Sequence, residues 1–269
     1  MRAEINTRRK EILFLCILFM IGLISWSVSR TYWISKKEKS FALNYTSSDK
    51  KNIKTYSKLL RKGLADVQLF FNKPYTKPFQ VYIHPDRHSL DSTWQQDWGM
   101  PGFKSECWMV ASGTAAKLDM ISPANWNKEA CEHIYAEKDK TQQLITHELV
   151  HVFHGQLNAS PDFSNTENID WFVEGLATYA SGQCDSSRIA EVIKTVAGDA
   201  IPQSLDDFWK GKIKYGLSGS VVMFIDAKYG RNKLTELLPF NKKSEILQRL
   251  GIDESQLLRE WKAYMQKRK

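Results

Sequence analysis

Apolar residues recur at helical spacing between Asp49 and Asn72. Ile53, Tyr56, Leu59, Leu60, Leu64, Val67, Phe70 and Phe71 return to one face every three or four positions. Asp49 is the expected N-cap, and "NKPYTKP" ends the helix. The period then changes to two in "FQVYIH", which predicts a strand stopped by Pro85. "DSTWQQDWGMPGFKSE" shows neither period and predicts a loop. "CWMVASGTAAKLDMIS" predicts two short strands around Ser112, Gly113 and Thr114. Residues 122–140 read as irregular or weakly helical, with Asp139 as N-cap of the helix that follows, "TQQLITHELVHVFHGQLN". A turn-rich loop then leads to a short helix in "WFVEGLATYAS", closed by Gly182. "SSRIAEVIKTVAG", "SGSVVMFIDAKYG", "NKLTELLPF" and "ESQLLREWKAYMQKRK" predict further helices, with a short turn at "SLDDFWKG". Strands early and helices late predict an α+β domain over residues 49–269.

A different pattern stands at the N-terminus. Residues 1–11 are short and basic, and from Ile12 to Val28 no charge occurs. That length falls at the low end of the roughly 17–25 residues that span a bilayer. A cleaved signal peptide and a retained anchor compete here. Ser27 and Ser29 could form a small-residue cleavage site, but Trp26 and Val28 fit it poorly, so a transmembrane signal anchor over residues 12–29 is favoured. Lys and Arg are balanced about the segment and leave orientation undecided. A short leader before a large domain points to an extracytoplasmic domain. Residues 30–48, polar from residue 35 on, read as a juxtamembrane linker.

Charge changes this picture little. The net charge is +8, but Arg2, Arg8, Arg9, Lys10, Arg30, Lys36, Lys37 and Lys39 against Glu4, Glu11 and Glu38 leave +5 within the first 40 residues. The remaining +3 is too weak a bias to suggest a nucleic-acid partner. Cys107, Cys131 and Cys184 are an odd set within the domain, compatible outside the cytoplasm with one disulfide and one free or intermolecular thiol.

The chemistry concentrates in His147-Glu148-Leu149-Val150-His151, an H-E-x-x-H pattern. Four residues make about one helical turn, so both imidazoles leave the same face and can reach one cation. Glu148 is offset from that face, placed to reach a metal-bound water without ligating. A catalytic zinc takes three protein ligands and keeps one position open. His154 lies near the same face, but seven residues at about 1.5 Å rise put its backbone about 10 Å from that of His147. It therefore reads as a supporting or surface residue. Glu174 is the better third ligand. It follows His151 by enough chain to lay a second helix beside the first, and it stands among Trp171, Phe172, Val173, Leu176, Ala177 and Tyr179. A carboxylate in such company is costly unless paired or metal-bound. Gly175 and Ala177 would let two helices approach closely.

"HELVHVF" and "WFVEGLA" together resemble the gluzincin zinc metallopeptidases, most closely the small peptidase MA-like domain. The resemblance implies a gluzincin-like core, with a small early β-sheet and a mostly helical C-terminal lobe. It implies one zinc ion on His147, His151 and Glu174, with Glu148 as general base acting on a peptide or protein substrate. "CWMVAS" would be the edge strand along which that substrate lies. A tyrosine or histidine from a later helix would meet the oxyanion. Tyr215 is the best-placed candidate, with His133 and His154 as alternatives, and a packed tyrosine at a helix start is an equally good account of it.

Two departures matter. The thermolysin branch has asparagine before the third ligand and aspartate four residues after it, where this chain has Val173 and Thr178. Asp170, Asp185 or Asp226 could instead orient a ligand histidine. The Gly-x-Met-Glu-Asn motif of the aminopeptidase branch is absent, which points to endopeptidase action. The expectation is thus a membrane-anchored zinc endopeptidase, with an inactive peptide-binding zinc domain as the alternative.

Overall fold

The computed structural model of the protein describes residues 32–198 and 200–268, so the segment read as an anchor, residues 12–29, lies outside the described residues. Among the described residues no helix is long and apolar enough to cross a membrane.

The sheet begins earlier than expected. Strands β1 (Ile34–Lys37) and β2 (Phe41–Tyr45) pair antiparallel within the stretch read as a juxtamembrane linker, so that reading is corrected and the folded unit starts at Ile34. β1 alternates between half-buried and exposed residues and carries Lys36 and Lys37. Lysines on an edge strand discourage pairing with other chains, and here they hid a strand behind a polar composition. β2 buries Phe41, Leu43 and Tyr45 on alternate positions.

Helix α1 (Ile53–Phe71) follows, and Asn72 ends it in the left-handed conformation at φ 50°. Its N-cap is Asn52, not Asp49. The Asp49 carboxylate is buried and accepts from Asn52, Tyr56 and Ser122, so it ties the helix start to a residue 73 positions further along the chain. β3 (Phe79–His84) runs parallel to β2. α2 (Arg87–Asp97) then occupies part of the expected loop. Asp86 caps it by accepting from the Ser89 N–H, and Leu90 and Trp94 bury into a small side cluster with Val110, Ile121 and Trp126. Two buried residues in a polar helix leave almost no periodic signal.

β4 (Ala111–Thr114) and β5 (Lys117–Ile121) form an antiparallel hairpin, and β5 pairs parallel with β3. The strand order is β1-β2-β3-β5-β4, which leaves β4 at an edge. A single-turn helix α3 (Trp126–Glu129) precedes α4 (Lys138–Leu157), the histidine-rich helix. Asp139 lies inside the first turn of α4, and Glu137 stands at its N-cap. An acid there still favours the positive end of the helix dipole.

The remainder is helical: α5 (Asp170–Ala180), α6 (Ser186–Ala197), α7 (Lys214–Tyr229), α8 (Arg231–Glu236), α9 (Lys243–Leu250) and α10 (Glu254–Gln266). α9 was not anticipated. The architecture is therefore α+β, a five-stranded mixed sheet followed by a mostly helical C-terminal part. One continuous core joins the sheet, α1 and α4 to the later helices through Leu149, Phe153, Phe172, Leu176 and Val221.

Candidate metal centre

Two close approaches build the site. Gly113 of β4 lies on α4 where a Cβ would come 2.4 Å from the Glu148 carbonyl and 3.0 Å from Cβ of His151. Any side chain there would push the edge strand off the helix. Gly175 of α5 meets α7, where a Cβ would stand 2.4 Å from the Ser218 carbonyl oxygen. The glycine that follows Glu174 thus seats α5 between α4 and α7.

His147 and His151 leave α4 one turn apart, both nine-tenths buried, with ring centroids 4.7 Å apart. Their Nε2 atoms stand 3.1 Å apart. Glu174 Oε2 lies 3.4 Å from Nε2 of His147 and 3.6 Å from Nε2 of His151. Two imidazoles and a carboxylate therefore form a group able to hold a metal ion. Ligands about 2.0–2.1 Å from a tetrahedral ion stand about 3.3–3.4 Å apart, and the three observed separations bracket that spacing. Burial works to raise the Glu174 carboxyl, but the charge of His151 and hydrogen bonds with both histidines outweigh it and hold the group well below the ordinary carboxylate range. Burial works to lower His151, and the Glu174 carboxylate overcomes it and raises the imidazole. A cation among the three would favour the carboxylate in the same direction.

The partner that orients His147 is Gln183. The His147 Nδ1–H donates to its Oε1 at 3.0 Å, which fixes the ring's orientation and turns Nε2 toward Glu174. None of the expected aspartates does this. Asp226 is engaged by Arg231 and Tyr179, and Asp185 caps α6. Asp170 lines the same cleft, its carboxyl raised by burial and by the Glu174 charge. Gln183 sits just after the Gly182 turn, φ 79°, and reaches back across 36 residues of sequence. The one local cue was that glycine.

Glu148 is buried beside the group but supplies none of its donor atoms. Burial pushes its carboxyl above the ordinary range, against the pull of both imidazoles. His154 is corrected as a surface candidate. It is fully buried between Phe163 and Phe172 and takes no part in the metal group. His133 lines the cleft and contacts the Trp108 carbonyl at 3.0 Å.

The cleft in front of these residues has a volume of about 1060 Å³ and runs along β4 to the start of α7. Tyr215 lines it with its ring 6.2 Å from that of His147 and 4.7 Å from that of Trp209. Burial, then the charges of Glu174 and Glu148, hold its hydroxyl well above the ordinary phenol range. It therefore stays a protonated donor at neutral pH.

Cys107 and Cys131 form a disulfide, and Cys184 is free. Burial pushes the Cys184 thiol up to about 12, which leaves it inert as a nucleophile.

No known family model matches this chain, and no curated protein matches it. Among solved structures, a mutant two-domain M1 zinc metallopeptidase bound to L-tryptophan is similar at a TM-score of 0.42 and 16% identity. The alignment covers 86% of this chain, which spans half the length of that structure. A likeness at this level carries no argument about activity.

Proposed function

We propose that this chain is a zinc-dependent endopeptidase, held at a membrane by residues 12–29 with its catalytic domain outside the cytoplasm. The observation that carries the reading is the convergence of His147, His151 and Glu174 within one ion's reach, with Glu148 buried beside them and left out of the set. Two imidazoles and one carboxylate are a donor set that suits zinc and leaves a position open.

When bound there, zinc supplies a Lewis acid that lowers the pKa of water toward about 7. Glu148 accepts the proton of the attacking water and passes it to the leaving nitrogen. The Tyr215 hydroxyl donates to the oxyanion as it develops. The free edge of β4 offers N–H and C=O groups to an extended substrate.

The uncharged run from Ile12 to Val28 supports the anchor. The Cys107–Cys131 bond supports an oxidising compartment for the domain. Zinc content of the full chain, with digestion of a peptide library beside Glu148→Gln, tests the reading. Stoichiometric zinc with no turnover in either form would favour the peptide-binding alternative, and no stoichiometric zinc would remove both.

A further inference from the structure

The cleft carries a second kind of chemistry where α6 meets α7. Arg188, Lys212 and Lys214 line it there, and Tyr215 touches both ends. The Tyr215 ring lies 6.2 Å from the His147 ring, 5.5 Å from the Arg188 guanidinium carbon and 5.4 Å from the Lys214 ammonium.

Arg188 stands apart from the other well-placed arginines. Arg87 donates to Ser105 and to the carbonyls of Glu106, Cys107, Met109 and Glu129. Arg231 binds Asp226 and the Phe70 carbonyl. The Arg188 Nη1 is buried and has no hydrogen-bond partner among the described residues. A buried donor on a charged group is costly to leave unmatched, and such groups point to a missing ligand or water.

The side chain is also held in place. Its stem packs on Gly216, where a Cβ would come 3.1 Å from the Arg188 Cγ, and Asp185 accepts from its backbone N–H at 2.8 Å. Lys214 adds a second positive charge, held 4.3 Å from Trp209 and 4.4 Å from Trp108. Glu132 also lines the cleft, but it is exposed and pairs with neither. The fixed fork of a guanidinium matches a planar carboxylate, two hydrogen bonds at a time.

We infer that Arg188, supported by Lys214, forms an anion subsite that binds a carboxylate of the substrate and so selects which bond meets the metal group. This rests on the peptidase reading above. The legs from His147 to Tyr215 and from Tyr215 to Arg188 are each near 6 Å. At about 3.3–3.6 Å per extended residue, they place the carboxylate within about three to four residues of the scissile bond. The same chemistry could come from a chain's C-terminus or from an acidic side chain.

The test uses the zinc-loaded full chain and matched hexapeptide pools. One comparison sets free C-termini against amidated ones, and the other sets an internal glutamate against glutamine. The expected result is a preference of roughly tenfold to a hundredfold for the carboxylate form in one comparison, the scale of a charge-assisted hydrogen bond. It should lie mainly in KM, vanish in Arg188→Gln and survive in part in Arg188→Lys. A free C-terminus as the preferred form would make the enzyme act from the carboxyl end, and an internal glutamate would make it an acid-directed endopeptidase. Binding of the same pools to Glu148→Gln, read by calorimetry, needs no turnover. Turnover without any Arg188-dependent preference overturns the subsite and leaves the peptidase reading standing. Arg188-dependent binding without turnover in the parent overturns the peptidase reading and keeps the subsite. Neither turnover nor preference overturns both.

Discussion

Nδ1 of His147 donates to Oε1 of Gln183 at 3.0 Å, so that Nε2 alone faces Glu174 and His151. His147 is thus held by a residue outside the group able to bind a metal. Removal of such a partner typically costs about 10–100-fold in metal affinity. Gln183→Ala should weaken zinc binding by that order while the fold survives, because Gln183 is half-buried and lies beyond the end of α5. Competition against a chromogenic chelator measures it. Affinity equal to the parent would mean that the contact plays no part in the site.

Glu174→Ala should release metal far more readily than His154→Ala. Glu174 offers its carboxylate within 3.6 Å of both imidazole nitrogens, whereas His154 is enclosed by Phe163 and Phe172. Dialysis against a chelator followed by metal counting gives the order. The reverse order would put His154 in the coordination sphere.

The part of the site carried by sequence spacing was legible and the part carried by turns was not. His147 and His151 share a face because four residues are about one helical turn, and this needs no tertiary information. Glu174 was legible because a carboxylate among large apolar residues calls for a partner. Gln183 was hidden, since its position depends on the Gly182 turn and on how α5 seats against α7 through Gly175. The early strands were hidden for another reason. β1 is a lysine-bearing edge whose residues are at most half buried, so its composition matched a linker. α2 was hidden because only Leu90 and Trp94 face inward.

Tyr215→Phe should lower turnover by roughly 10²–10³, the usual cost of losing one oxyanion donor. Zinc content and melting temperature should stay near the parent values, because the ring contacts with Trp209 and His147 do not require the hydroxyl. Turnover and melting are read on one preparation. Unchanged turnover with a lower melting temperature would make Tyr215 a packing residue only.

His154 predicts an acid-sensitive fold. Burial, reinforced by the charge of His151, depresses its imidazole to about 3. Above pH 6.5 neither the folded nor the unfolded chain protonates this group. As pH falls below 6.5 the unfolded chain takes the proton and the folded chain does not, so stability drops by up to about 1.4 kcal/mol per pH unit until about pH 3. Urea unfolding from pH 7.5 to 5, with chelator present throughout, should show a steeper loss in the parent than in His154→Leu. Equal slopes would mean that His154 protonates as readily in the folded chain.

The most direct measurement is zinc stoichiometry and peptide turnover of Glu148→Gln against the parent. Glu148 is buried beside the metal group without belonging to it, and glutamine keeps its size while removing the base. The account predicts one zinc per chain in both proteins, with hydrolysis in the parent and none above background in the variant. Loss of zinc from the variant would make Glu148 a ligand, and hydrolysis near the parent rate would remove it as the base.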